Sequence, residues 1–370
     1  MLLTSVIGPL TSELVFPMSE PTPSFPVFAH PLENSPQPVW VVRPRRTGWW
    51  LYVLFFLLTL FSTTIVGAGL EFNYLHRLPM FSLEDDSETG FPAIWALQQP
   101  ANLLLGLPFS LTLMSILFAH EMGHYLYARH YRVYVTPPLF VPFPSLIGTL
   151  GAFIRIRSPI PSRRALFDIG IAGPVAGFIP ACVALFAGLS MSHPMPAPKG
   201  AYLELGFPLI FRLAAQLLKI KAPLAMLALH PVAAAAWVGM FATSLNLLPG
   251  GQLDGGHIVF SLSPRLHWWT SVLTVAALIP LGPYSWYGWM IWAVILAFTW
   301  RHPNVPRYPS VAGRRRGMAV FAALMLALTF TRVPLTQHTN RPYSWQDFRD
   351  ELRDDYRYLR DAARHALHRE

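Results

Sequence analysis

The chain has 370 residues, 53% of them hydrophobic and only 13% charged, with a formal net charge of +9. A soluble domain carries about 25% charged residues, so this composition excludes an ordinary soluble protein and describes an integral membrane protein with modest appendages. Lys199, Lys219 and Lys221 are the only lysines, and no aromatic-basic recognition pattern accompanies the arginines, so the charge reads as a topology signal and not as a nucleic-acid surface.

Residues 1–48 contain Pro17, Pro21, Pro23, Pro26, Pro31, Pro36, Pro38 and Pro44 without sustained periodicity, and read as an extended tail. No basic n-region or small-residue cleavage site is seen there, so a signal peptide is not expected. Arg43, Arg45 and Arg46 precede a first span, Trp49 to about Gly69, and place the N-terminal side in the cytoplasm. The next connection, to Pro100, carries Glu71, Glu84, Asp85, Asp86 and Glu88 and reads as external.

A second span, about Asn102 to Tyr127, returns inward and carries His120-Glu121-Met122-Gly123-His124 in its later half. On a helix, His120 and His124 share a face with their imidazoles about 6 Å apart, which suits two ligands of a tetrahedral zinc. Glu121 then sits beside the metal as a general base for water. From Asn102 to Ala119 there is no charge, and ionisable groups arriving together in a span are by default functional.

Val133 to Ile156 is apolar but broken by Pro137, Pro138, Pro142, Pro144, Gly148 and Gly151, so it cannot be a helix. Residues 133–135 and 152–156 read as short strands of a re-entrant hairpin beside the zinc. Its edge could hold an unwound substrate as an added strand, with Gly148, Thr149 and Gly151 as candidate contacts; a hairpin that merely packs is the alternative. A third span, about Leu166 to Met191, opens on Asp168 at the interface, and its Gly173 and Gly177 form a close-packing pair.

Residues 205–218 contain Arg212 and are too short to span, so an interfacial helix is expected. A fourth span, about Pro231 to Leu248, ends in Asn246-Leu-Leu-Pro249-Gly-Gly-Gln-Leu-Asp254-Gly255-Gly256-His257. Leu266 to Trp300, interrupted at Pro280-Leu-Gly282-Pro283, is expected to form two short spans. A last span covers Gly317 to Val333. Trp345, Phe348, Leu352, Tyr356, Leu359 and Ala363 then recur at helical spacing in a neutral amphipathic tail. The lone Cys182 excludes a disulfide framework and a cysteine-based zinc site.

Two histidines need a third protein ligand. Between Glu121 and Glu204 the only acid is Asp168, which fits a soluble zincin pattern poorly. His130 has the spacing of a longer histidine motif, but Tyr127 stands where the turning glycine should be. Asp254 is the better candidate. The second span runs inward, the third outward and the fourth inward, so both motifs end at one membrane face. Pro249, Gly250 and Gly251 break the helix there and let Asp254 turn back. His257 is near enough to compete as a ligand, or to orient Asp254 from behind.

His120-Glu121-x-x-His124 in one span and Asn246-x-x-Pro249-x-x-x-x-Asp254-Gly255 in a later one, with the glycine-rich stretch Gly170 to Gly177 between, resemble the site-2 protease family of intramembrane zinc metalloproteases. The resemblance covers about residues 100–260 and implies one zinc per chain on the cytoplasmic side, held by His120, His124 and Asp254. By the same resemblance Asn246 contacts the substrate backbone or the oxyanion; its alternative is a helix-end cap. Residues 192–230 are too short for a PDZ domain and those after 334 too short for CBS domains, so a compact member is expected.

The expected architecture is an all-α polytopic membrane protein of about six to seven transmembrane helices with the hairpin beside the zinc site. Its parts are the tail (1–48), a transmembrane metalloprotease domain (49–334, core 100–260) and an amphipathic C-terminal helix (335–370). The implied activity is cleavage of transmembrane segments of other membrane proteins, with an anti-sigma factor or membrane-tethered transcription factor as the suggested kind of substrate. The lipid bilayer is the other expected partner, and no nucleic acid is. A membrane zinc carrier using the same three residues and an inactive scaffold of the same fold are the alternatives.

Overall fold

A computed structural model of the protein describes residues 48–82, 96–97, 99–198, 200–303, 305–308, 311–338 and 353. The expected N-terminal tail and the amphipathic C-terminal helix lie outside the described residues, apart from their inner edges. The first half of the chain forms α1 (Trp49–Leu75), β1 (Phe81–Ser82), α2 (Pro100–Leu105), α3 (Leu107–His130), the hairpin β2 (Leu139–Pro142) and β3 (Thr149–Phe153), and α4 (Arg163–Met191). The second half forms β4 (His193–Pro194), β5 (Tyr202–Leu205), α5 (Leu209–Leu217), β6 (Leu227–Ala228), α6 (Pro231–Asn246) and α7 (Asp254–Leu262). It continues with α8 (Pro264–Tyr284), α9 (Gly288–Thr299), α10 (Arg314–Thr329) and β7 (Leu335–His338).

The helices start where the sequence supplies caps. Ser162 Oγ accepts from the Ala165 amide at the head of α4, and Ser263 Oγ from the Leu266 amide at the head of α8. Pro231 opens α6, where its missing N–H costs nothing. Among the described residues, α1 and α4 are long and apolar enough to cross a membrane. The pattern of α1 is inside-out relative to a soluble helix. Thr59, Thr63, Thr64 and Gly67 are buried, whereas Trp50, Val53, Leu54, Leu57, Leu58 and Phe61 are exposed. An apolar outer face over a small, polar inner one is what lipid selects.

Helices α3, α4 and α6 pack into the main core through Leu113, Ile116, Leu117, Leu185 and the run Ala233–Ala236. The hairpin pairs antiparallel in the register Leu139↔Phe153, Phe140↔Ala152 and Val141↔Gly151, and a further bridge joins Val135 to Ile156. Gly148 turns it with a φ of 77°, a left-handed value that favours glycine. The turn is pinned to α1, because Ser62 Oγ donates to Gly148 O at 2.6 Å.

The all-helical expectation needs correction. Besides the hairpin there is an antiparallel sheet β1-β5-β7 and a small pair β4-β6. These strands follow the ends of α1, α4 and α10 and precede α6, so they gather at one end of the bundle and pair connections far apart in sequence. The start of the expected C-terminal helical segment, Leu335–His338, is one of these strands. A second correction concerns the break at Pro280 and Pro283. Helix α8 runs through both to Tyr284, and the chain turns at Ser285, whose Oγ donates to Leu281 O at 2.6 Å.

Asp168, expected at the start of a span, lies within α4 and ties three segments together. Arg315 of α10 grips it with Nε to Oδ1 at 2.8 Å and Nη2 to Oδ2 at 2.6 Å, and the Tyr131 hydroxyl just after α3 donates to Oδ2. Arg315→Ala would leave a largely buried carboxylate with Tyr131 alone. It should destabilise the fold by about 1.5–3 kcal/mol, the range for a hydrogen bond to a charged group. Chemical denaturation of Arg315→Ala, Asp168→Asn and the double variant measures it; additive effects would show that the pair is not coupled.

Candidate metal centre

The site forms where antiparallel helices bring their chemistry to one level: the C-terminal half of α3, the N-terminal third of α4 and the end of α6. His120, Glu121 and His124 project from α3 and are at most 2% exposed. The face of α4 against them is stripped of side chains. A Cβ on Gly173 would lie 2.0 Å from His124 Nε2, one on Gly177 would lie 2.9 Å from His120 Cβ, and one on Gly170 would lie 3.1 Å from His257 Cβ. The glycines that read as a helix-packing signal thus form the wall that accommodates three histidines.

Asp254 arrives by a sharp reversal. Helix α6 ends at Asn246, and Gly251 takes a left-handed φ of 58°. The Gly251 amide donates to Ser271 Oγ, and its carbonyl accepts from His267 Nε2 at 2.8 Å, which anchors the turn to α8. Helix α7 then begins at Asp254 against the end of α6. A Cβ at Gly255 would fall 2.1 Å from Leu247 O, so no larger residue fits after the aspartate.

Side-chain donors of His120, His124 and Asp254 lie within 4.8 Å of one another. His120 Nε2 and His124 Nε2 are 3.2 Å apart, and each is 3.3 Å from Asp254 Oδ2. Ligands at about 2.0–2.1 Å from a tetrahedral ion sit about 3.3–3.4 Å from each other, so these spacings suit a single zinc-sized ion. The His124 tautomer suits it as well. Its Nδ1 faces Ile169 O at 2.8 Å, and since a carbonyl only accepts, Nδ1 carries a proton, which in the neutral imidazole leaves Nε2 with the lone pair a metal needs. Both Asp254 oxygens, Glu121 Oε2 and Asn246 Oδ1 are buried without a hydrogen-bond partner. Orphaned polar atoms at one point are costly in a bare fold, and a cation with its water would satisfy them.

Glu121 and Asn246 flank this trio. The Ile154 amide, just beyond β3, lies near enough to the Glu121 carboxylate to favour its charged form, so the hairpin reaches the site. Asn246 is 1% exposed, and its Nδ2 lies 3.4 Å from His120 Nε2. Thr149 spends its hydroxyl on Val141 O and the Gly151 amide inside the hairpin, and Gly148 lies against α1. Of the three candidate hairpin contacts, none is among the groups facing the trio in these hydrogen bonds. His130 is exposed and is not among the grouped donors.

His257 pairs with a residue that sequence reasoning missed. Its Nδ1 lies 2.8 Å from His302 Nε2, while His302 Nδ1 lies 2.7 Å from Pro303 O. Burial pushes His302 down to about 4, so it is neutral at physiological pH. The carbonyl fixes the proton on His302 Nδ1. His257 Nδ1 must therefore donate, and its buried Nε2 carries a lone pair without a partner. No local signal in the sequence marks this contact across 45 positions.

Gly173→Ala tests the wall. The added methyl must displace the His124 ring, so zinc affinity should fall at least about tenfold, as for loss of an orienting contact. Competition with a zinc chelator reads it; wild-type affinity would mean that the wall does not hold the ring.

Residues 108–275 match the model of Peptidase family M50. The chain is 30% identical over 309 residues to the "Probable zinc metalloprotease EGY1, chloroplastic" of Oryza sativa subsp. japonica, covering 80% of this chain and 52% of that protein. It is 29% identical over 306 residues to the protein of the same name from Arabidopsis thaliana, covering 79% and 55%. The "Probable zinc metalloprotease EGY2, chloroplastic" of Arabidopsis thaliana is 29% identical over 288 residues, covering 73% and 47%. The chain thus spans about half the length of the curated relatives it matches.

Proposed function

We propose, from the premise that residues 108–275 are a Peptidase family M50 (site-2 protease) domain, that the protein is an intramembrane zinc metalloendopeptidase. The observation that carries this reading is the buried trio His120, His124 and Asp254 with Glu121 beside it. The relatives' names as probable zinc metalloproteases support zinc as the metal. Zinc, when bound, supplies a Lewis acid that makes water a nucleophile at neutral pH and polarises a carbonyl.

The chain's own residues do the rest. His120, His124 and Asp254 would hold the ion, a three-residue donor set of the kind catalytic and not structural sites use. Glu121 takes a proton from water and hands it to the departing amine. Asn246, through Nδ2, donates to the substrate backbone or to the oxygen that gains charge. The two-stranded hairpin leaves the outer edge of β3 unpaired within its sheet, and an unwound substrate segment would add there as a strand, near Gly148, Thr149 and Gly151. His257 steadies the helix that presents Asp254.

Residues 49–334 form the membrane unit in this reading. About six to seven crossings, with the N-terminal side and the metal centre toward the cytoplasm, follow from the arginine distribution. Regulated release of a membrane-tethered factor is the biological setting that the family likeness suggests.

A membrane-embedded substrate helix hides its peptide bonds in its own hydrogen bonds, so a helix-breaking segment should be required. Purified protein in lipid nanodiscs with zinc should cut a transmembrane peptide carrying an Asn-Gly or Pro break at least about tenfold faster than its all-leucine counterpart. Chelation should stop both reactions. Zinc flux across liposomes without any cleavage would replace this reading with that of a carrier.

A further inference from the structure

Arg163, the first residue of α4, and Arg307, in the segment between α9 and α10, line one cleft with Phe260, Pro264, Val305 and Pro306. The cleft contains about 840 Å³ of space free of protein atoms, part of it open to solvent, and among the described residues no carboxylate lines it. The two segments are locked together, because the Arg163 amide donates to Pro306 O at 3.1 Å. Arg163 is also held from the side, its guanidinium carbon lying 5.7 Å from the centre of the Phe260 ring. Its Nε is buried without a hydrogen-bond partner, and the Arg307 charge acts on it repulsively. Among the described residues no ion pair reaches either arginine.

Flexible arginines can normally swing apart into water, where like charges cost little. Here backbone and ring contacts keep one of them in place beside the other, with a buried donor left over. The group that satisfies this arrangement is an anion with several acceptor oxygens, since planar guanidinium forks match phosphate geometry. The helix start itself adds little, as the Arg163 and Ala165 amides are already bonded to Pro306 O and Ser162 Oγ. We propose that this cleft binds a phosphate-type oxyanion, carried by an anionic phospholipid headgroup or by a soluble phosphate. Arg163 opens a helix long and apolar enough to cross a membrane, so the cleft lies at the depth where that helix meets a headgroup layer.

The test uses the full-length protein in detergent, titrated by native mass spectrometry with dioleoyl-phosphatidylglycerol, dioleoyl-phosphatidylcholine or inorganic phosphate. Phosphatidylglycerol or phosphate should bind the wild type at least about tenfold more tightly than Arg163→Gln/Arg307→Gln, the loss of one charge-assisted contact being worth about that factor. The exposed pair Arg164→Gln/Arg314→Gln should bind as the wild type does. Phosphatidylglycerol binding with phosphate ineffective as a competitor identifies the lipid source, and the converse identifies a soluble one. Zinc content and the thermal midpoint check the fold, because Phe260 belongs to the helix of Asp254 and also stacks on His302 at 3.9 Å. Should the double variant not fold, Arg307→Lys, which keeps the charge and loses the fork, should still weaken binding severalfold. Equal affinity in the folded cleft variants, equal loss in the exposed pair, or no binding by the wild type would overturn the proposal.

Discussion

Glu121→Gln should keep about one zinc per chain and lose peptide-bond cleavage by about 10²–10⁴-fold, the usual contribution of a positioned general base. The two effects separate because Glu121 lies outside the donor trio formed by His120, His124 and Asp254. The substitution preserves shape. The glutamine carbonyl can still face the Ile154 amide, and only the ability to take a proton disappears. Zinc analysis of the purified variant and cleavage of a transmembrane peptide in nanodiscs measure both quantities. A variant that cuts at the wild-type rate would remove Glu121 from its proposed role. A variant that loses zinc as well would mean that the carboxylate helps hold the ion.

Asp254→Asn should act in the opposite sense on metal and on the bare fold. Asp254 is fully buried, and neither of its oxygens has a hydrogen-bond partner. Neutralising it removes an anionic ligand, so zinc affinity should fall by more than about 100-fold, the upper end of the effect of supporting residues. At a free zinc concentration of 1,000 times the wild-type Kd, binding stabilises the fold by about 4.1 kcal/mol. After a 100-fold loss the same zinc gives about 1.4 kcal/mol. The metal-free protein should not be weakened, because a buried carboxylate is costlier than a buried amide. Thermal midpoints with and without chelator should therefore converge in Asp254→Asn while the chelated midpoints of variant and wild type stay close. Unchanged zinc affinity would exclude Asp254 as a ligand.

Both predictions rest on residues that were legible before any coordinates, and the reason is local. The spacing of His120 and His124 needs only the helical repeat, and the Pro249 to Gly251 break needs only the chemistry of turns. Alternation of inward and outward spans then required the ends of α3 and α6 to share a level, and the 3.3 Å separations show that they do. The same reasoning misplaced the break at Pro280. Proline weakens a helix, but neighbouring helices can hold it, and α8 continues past that point. It also placed the hairpin strands at 133–135 and 152–156, whereas β2 is Leu139–Pro142, within the proline-rich run 137–144 that concealed it, and β3 is Thr149–Phe153. Of the expected first strand only Val135 pairs, in an isolated bridge to Ile156.

By itself the sequence determined the membrane-compatible composition, the long apolar helices, the hairpin in outline and which three residues gather at the candidate metal centre. Those are properties of a residue and its near neighbours along the chain, where periodicity and turn chemistry operate. Only the tertiary structure decided that Gly170, Gly173 and Gly177 make room for histidines, that Arg315 and Tyr131 hold Asp168, that His302 sets the tautomer of His257, and that Arg163 faces Arg307. Each joins separate segments of the chain, and which distant groups meet is settled by how whole helices pack, a collective quantity that no short stretch encodes.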